Sequence, residues 1–418
     1  MENSITLKKT KRFSIREIIY GCFFIFIPFS QALTINIPFP LKISEIFLFI
    51  IILYETCTHN IINWNLNKRL TITVVLFITI TFISVLINAF YHYTYDLTLS
   101  LTRVNSFVDS ILKFFYIVLS FITLYATRYV LIKKPALINY FFWGAIISSG
   151  YAWYLFISGF LKLPVFLFPG MDANIQTYDI GFGSVIRCST FKEGNYMGFY
   201  LLVSGITAIL YHRTKLAFLF FITIITTFST TAIFCSLLFF LIYLSIKYKQ
   251  YKLKLFGLLI AVIIIIGLLM EFSPGFRTIF YNKVFGDKDS VENTNDIYSK
   301  TDRLNTALIA LEITRDSPFF GVGPANFGLH YNHYNTLPGF DDFETKRIPN
   351  NIYVEVLSEY GGLAFIFFIC FLYYVFKYGR SKSNDVLVGG LIASYIYFFA
   401  FPTFTMLFIW VFIGIVLA

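Results

Sequence analysis

Long apolar runs, separated by short polar breaks, occupy most of the chain. They fall at about 17–36, 41–57, 70–88, 106–127, 137–159, 196–211, 216–230, 232–246, 255–271, 352–376, 386–401 and 403–418. A helix needs ~20 apolar residues to cross a hydrocarbon core, so the pattern predicts an all-α polytopic membrane protein with about twelve transmembrane helices. Several of the runs are shorter than that. The two between 216 and 246 read as a broken or re-entrant pair that turns at Ser229–Thr230–Thr231.

Two polar segments are too long to be simple turns, 161–195 and 272–351. They divide the chain into helices one to nine over 1–271, a large loop over 272–351, and three further helices over 352–418. Loops of this length usually fold or carry function. In the second, Leu304, Leu308, Leu311 and Ile313 alternate with charged residues from Ser299 to Arg315. That spacing predicts an amphipathic helix capped by Ser299 or Thr301. Ser317–Pro318 should end it, and Gly321–Val322–Gly323–Pro324 makes a turn.

Composition closes off the soluble alternative. Of 418 residues, 57% are hydrophobic and 13% charged, and the mean hydropathy is +0.71. A soluble chain of this length needs about twice that charged fraction to cover its surface. The net charge of +10 does not point to nucleic acid, because the basic residues sit in short clusters between apolar runs. These are Lys8 to Arg16, Lys68–Arg69, Arg128 with Lys133–Lys134, Arg213 with Lys215, Lys247 to Lys254, and Lys377 to Lys382. With the N-terminus inside, every one of them lies on the same side, as the positive-inside rule requires. Both termini are then cytoplasmic, the two long segments lie outside, and the basic N-terminus leads a retained helix instead of a cleaved signal. The cysteines, Cys22, Cys57, Cys188, Cys235 and Cys370, are scattered singly and suggest no disulfide framework.

The candidate chemistry lies in the outer segments. Arg187 precedes Phe191–Lys192–Glu193–Gly194–Asn195 just before a span. A guanidinium there, always charged and with five donors in a fixed fork, suits a pyrophosphate at the membrane surface. Its plainer reading is an anchor, or an ion pair with Glu193. Arg303 lies on the amphipathic helix, where a solvated charged face is the plainer reading. Asn350 and Asn351 precede the next span as helix caps. Glu355 and Glu359 follow on one helix face, as a catalytic carboxylate or as structural groups. Asp109 and Lys113, four apart inside the fourth span, are either an internal salt bridge or a functional pair. His330 and His333, with Asp341, Asp342 and Glu344 nearby, lack a strong metal-ligand spacing. No Walker loop, His-Glu-x-x-His or Cys-x-x-Cys pattern occurs.

In this order, the residues resemble the bacterial O-antigen ligase/polymerase superfamily, and most of all a Wzy-type O-antigen polymerase. Arg187, Thr190, Phe191, Glu193 and Asn195 fit its arginine followed by "tF-x-E-x-N", and Ser229–Thr230 fit its hydroxyl-rich break. Arg303, Pro318, Gly321 and Gly323 fit the arginine-led helix running into "P-x-x-G-x-G". Asn351, Tyr353, Glu359 and Gly361 fit "H-N-x-Y" and "E-x-G", with Asn350 standing where the ligases carry histidine. The resemblance implies a GT-C-like glycosyltransferase of the bacterial inner membrane. Its partners would be undecaprenyl-pyrophosphate-linked glycan donor and acceptor, membrane lipid and a chain-length regulator, with no metal and no cofactor. It also implies Arg187 and Arg303 as the groups that steady the pyrophosphate. Asparagine is no general base near neutral pH, so Asn350 favours polymerisation of repeat units over ligation to lipid A–core. A flippase is a third, weaker reading. Glu193 is the candidate base, and Asn195, Asn350, Asn351, Tyr353, Glu359 and His333 are the expected substrate-binding residues.

Overall fold

The computed structural model describes residues 14–36, 40–61, 64, 67–89, 106–171, 176–179, 184–248, 271, 294–341 and 346–418, with the backbone alone over 294–300. The basic residues Lys8 to Arg12, the predicted span at 255–271 apart from Glu271, the start of the large loop, and Asp342 and Glu344 lie outside the described residues.

The described residues form α-helices and two small antiparallel hairpins. One hairpin pairs β1 (Ile35–Asn36) with β2 (Pro40–Leu41), and the other pairs β3 (Thr177–Asp179) with β4 (Ser184–Ile186). The first half of the chain carries α1 (Ile15–Phe26), α2 (Ile43–Cys57), α3 (Lys68–Ala89), α4 (Ser106–Lys133), α5 (Ile138–Phe160), α6 (Gly194–Leu210), α7 (Thr214–Thr223) and α8 (Thr230–Lys247). Then follow α9 (Thr294–Asp316), α10 (Phe327–Tyr334), α11 (Ile352–Ser381), α12 (Asp385–Tyr397) and α13 (Leu407–Leu417).

Among the described residues, five helices are long and apolar enough to cross a membrane: α3, α4, α5 with its leading turn, α8 and α11. The expected count of twelve is not reached among the described residues, where the other apolar helices, α6, α7, α12 and α13, are shorter. Helix α13 has every side chain from Leu407 to Leu417 buried. A helix that is apolar on all sides is buried, in a core or as a span among other helices. Here α13 packs on α4, α6 and α11, and the Phe121 and Trp410 rings lie 4.5 Å apart. The run from 17 stops being helical at Ile27–Pro28, since proline cannot continue the ladder. The predicted break between α7 and α8 is present. A short 3-10 turn over Ile224–Thr227 leads to left-handed Phe228, and the Ser229 hydroxyl accepts from the Ala232 N–H to cap α8.

The large-loop helix α9 is longer than expected, and the face it buries is different. It packs on α10 and α11 through Asn305, Thr306, Ile309, Ala310 and Ile313, while Leu304, Leu308 and Leu311 are exposed. Asn305 donates to the Tyr331 hydroxyl at 3.1 Å and to Asn335 at 2.9 Å, so its polar group is satisfied inside the contact.

The segment after α9 is built into the bundle. Helix α11 is interrupted at Gly361, where φ is 81° and ψ 172°. The interruption frees carbonyls before it and N–H groups after it, which need partners. The chain from Pro318 to Gly323 supplies them. Val322 N–H donates to Ser358 O at 3.0 Å and Gly323 N–H to Glu359 O at 2.9 Å. In return Gly362 N–H donates to Pro318 O at 2.8 Å and Leu363 N–H to Phe319 O at 3.4 Å. Helices α3 and α4 close over this clasp. Ser84 Oγ donates to Phe320 O at 2.5 Å, Asn88 Nδ2 to Gly321 O at 3.3 Å, and Ser110 Oγ to Pro324 O at 2.7 Å. Only glycine fits at the crossing. A Cβ on Gly361 would lie 2.3 Å from Phe319 O, and one on Gly321 would lie 2.5 Å from Ser358 O.

Candidate active site

The first arginine is set by the β3–β4 hairpin and the start of α6. Arg187 directly follows β4, and its Nε donates to Gln176 Oε1 at 2.9 Å. The same oxygen accepts the Gly194 N–H at 3.2 Å, so Gln176 ties the guanidinium to the first turn of α6. Sequence reasoning missed Gln176, which carries no motif and acts only across the hairpin. Gly194 has to lack a side chain because a Cβ would lie 2.6 Å from Thr227 O and 3.1 Å from Arg187 Cγ.

The turn between Arg187 and α6 is pinned by packing. Thr190 Oγ1 donates to Pro28 O at 2.8 Å, and the Phe191 ring is fully buried against Tyr200 and Phe408. Glu193, half-buried, is the N-cap residue of α6. Burial raises its pKa above the ordinary carboxylate value, opposed by Lys192, Arg303 and Arg187. Two arginines far apart in sequence, Arg187 from the first loop and Arg303 from α9, therefore act on one carboxylate. Arg303 is exposed, and it is also within electrostatic range of Tyr397.

Asn195 faces protein. Its Nδ2 donates to Ala400 O at 2.7 Å, and its Oδ1 accepts from the Tyr397 hydroxyl at 2.7 Å and from Ser229 Oγ at 3.3 Å. It joins α6, the α8 cap and the end of α12. Asn351 caps α11, accepting from the N–H groups of Tyr353 and Val354. The Tyr353 hydroxyl donates to Tyr395 O at 2.8 Å, and its ring lies 4.6 Å from Phe399. Asn350 is half-buried just before that cap. Glu359 is 2% exposed, and its carboxylate accepts the Ala325 N–H at 2.8 Å, so it fastens the clasp. His333 is exposed on α10 with its ring edge-on to Tyr334. Its neighbour His330 is buried, and burial with His333 nearby pushes its pKa down to about 4. Among the described residues, no three His, Cys, Asp or Glu side chains gather as a metal site would need.

Asp109 and Lys113 do not pair with each other. Asp109 accepts from Lys346 at 2.6 Å, and Lys113 donates to Glu355 Oε1 at 2.6 Å and to Thr403 Oγ1 at 3.1 Å. Each has found a partner at the edge of the large loop or in α11. Arg347 in turn donates to Asp302 at 2.9 Å, beside Arg303. The loop that carries Arg303 is thus held by ion pairs at 109–346 and 302–347 and by the clasp at Gly361. The five cysteines are free, and burial pushes the Cys188 thiol up to about 11.

A family model described as O-antigen ligase matches residues 216–369. The matched stretch begins in α7, takes in Arg303 and the clasp, and ends within α11 beyond Gly361. No curated protein sequence matches the chain.

Proposed function

We propose that this multi-pass membrane protein, whose residues 216–369 match the O-antigen ligase model, is a member of the O-antigen ligase/polymerase superfamily and transfers a glycan from an undecaprenyl-pyrophosphate carrier to an acceptor hydroxyl. The observation that supports the reading is that Arg187 and Arg303, from separate segments, both lie within electrostatic range of the half-buried Glu193, together with its neighbour Lys192. In the proposed reaction an acceptor oxygen bonds to the anomeric carbon, the bond from that carbon to the pyrophosphate oxygen breaks, and the lipid pyrophosphate leaves with the electron pair. Fixed guanidinium groups stabilise charge that develops on such a leaving group. Glu193 takes the acceptor proton. Its raised pKa makes it a stronger base than an ordinary carboxylate, provided that it is ionised.

The description of the matched family favours ligation to lipid A–core over polymerisation. Polymerisation of lipid-linked repeat units is the second reading, favoured by Asn350, which has no basic nitrogen to activate an acceptor. Deleting the gene separates the two. Core without any O-unit is expected for a ligase, and core with a single O-unit for a polymerase. Purified protein in nanodiscs, given a lipid-linked glycan and an acceptor, tests the site. Arg187→Gln and Arg303→Gln should each lower turnover by about 100-fold or more without changing the melting temperature. Full turnover in both variants would refute the site.

A further inference from the structure

The far end of α6 from Gly194 opens on a cavity. Its position follows from α6, whose first turn carries Gly194 beside Arg187 and whose last residue, Leu210, lines the cavity. Seventeen helical residues rise about 25 Å, so the two places lie at opposite ends of α6. The cavity measures about 380 Å³ and lies between the ends of α6, α8 and α11 and the starts of α7 and α12. Lys247 enters it from α8 and Lys382 from the end of α11, with His212 and Ser383 as further polar groups. Ile209, Leu210 and Val386 form an apolar part of the wall.

The charges in this cavity do not cancel. Asp385 is its one carboxylate, against two lysines. Among the described residues neither lysine is in an ion pair. Lys247 donates to the Tyr243 hydroxyl at 2.9 Å, and Lys382 lies over the Tyr378 ring. Partial burial and the nearby Arg128 push the Lys382 pKa below its ordinary value, so a like charge stands beside it. The Asn384 side chain is engaged in capping Val386 N–H at the start of α12. Two lysines against one aspartate, with Arg128 near Lys382, leave a net positive charge that suits the negative charge of a phosphodiester. Basic pockets between membrane helices at an interface are suited to phospholipid headgroups.

We propose that this cavity binds the phosphodiester headgroup of an anionic glycerophospholipid, with Lys247 and Lys382 on the phosphate and the acyl chains leaving past Ile209, Leu210 and Val386. The site is separate from the glycan-transfer site and does not rest on it. The test is native mass spectrometry of the full-length protein released from nanodiscs of mixed phosphatidylglycerol and phosphatidylcholine. Wild type should retain phosphatidylglycerol in preference. Lys247→Gln/Lys382→Gln should retain at least 5-fold less, while Lys68→Gln/Arg69→Gln, which removes as much charge at the start of α3, should retain as much as wild type. An equal loss in both double variants would reduce the effect to general surface charge and overturn the proposal, as would retention without headgroup preference. Thermal unfolding with glycerol 3-phosphate separates the sources. A stabilisation by the soluble ester that needs both lysines, without any by phosphatidylglycerol, would overturn the lipid assignment.

Discussion

Replacing Gly361 by alanine tests whether the clasp organises the outer end of the molecule. The residue sits at φ 81°, ψ 172°, a region open almost only to glycine, where another residue costs about 1–3 kcal/mol. The added Cβ would also lie 2.3 Å from Phe319 O, 2.4 Å from Phe319 C and 2.5 Å from Phe320 N. These are backbone atoms, so relief requires the segment to move and the hydrogen bonds of Val322, Gly323, Gly362 and Leu363 to stretch or break. At a net ~1 kcal/mol for each bond, the total reaches about 5 kcal/mol. Gly339 supplies the control: its φ is also +81°, but a Cβ there meets nothing within 4 Å. Gly339→Ala therefore carries only the conformational part. In thermal unfolding of the purified protein, Gly361→Ala should lower the midpoint several-fold more than Gly339→Ala. Limited proteolysis should show the loop around Arg303 becoming cleavable in Gly361→Ala alone. Equal midpoint shifts in the two variants would refute the clasp.

Three other outcomes follow from single interactions. Lys113→Met leaves the Glu355 carboxylate, 2% exposed, without its cation and should destabilise by about 3–5 kcal/mol; Lys113→Met/Glu355→Leu should recover most of that in the same unfolding assay. Asn351→Ala removes the cap from the Tyr353 and Val354 N–H groups and should cost about 1 kcal/mol, against almost nothing for Asn351→Asp. Glu193 has a folded-state pKa raised by burial, so its protonated form favours the fold: that stabilisation is full below the unfolded carboxylate value and is lost as pH rises through the folded one. Glu193→Gln should therefore raise the melting temperature at neutral pH and leave it unchanged in acid, and it should abolish an acid limb of the rate profile that lies above the ordinary carboxylate range. A wild-type acid limb kept intact in Glu193→Gln would remove Glu193 as the base.

What could be read from the chain depended on whether the cause was local. The membrane class was legible, because so few charged residues cannot cover a soluble surface. The cap at Asn351 and the break after α7 were legible too, since each is decided within a few residues. The number of spans was not, because apolar runs such as those of α6 and α12 form helices shorter than the lengths that cross a membrane. On α9 the leucines at 304, 308 and 311 made the expected buried face, yet α10 and α11 contact the face with Asn305 and Thr306. The four-residue spacing of Asp109 and Lys113 suggested a local pair, but Lys346 and Glu355 outcompete it from more than two hundred positions away. Gln176 could not be found at all from sequence, because its role exists only once β3 lies beside β4.

The clasp changes what the motif residues mean. Read along the chain, Gly321 and Gly323 make a turn, and Glu359 is an expected substrate-binding residue. In the structure they bind one another: the glycines permit the crossing of two backbone segments, and Glu359 accepts the Ala325 N–H at its edge. Asn195 likewise joins α6 to the α8 cap and the end of α12, and Phe191 packs against Tyr200 of α6 and Phe408 of α13, instead of facing outward. The proposed site then rests on Arg187, Arg303 and Glu193, the two arginines lying with Lys192 within electrostatic range of the carboxylate. Only one of these, Arg303, lies within residues 216–369; Arg187 and Glu193 reach it from the β3–β4 hairpin and the start of α6. Arg303 can meet them only if α9 keeps its register on α11, and that register depends on a backbone crossing that tolerates no side chain at Gly361. A loss of turnover in a clasp glycine variant should therefore be accompanied by loss of the fold at this end, whereas loss of turnover in an arginine variant should not.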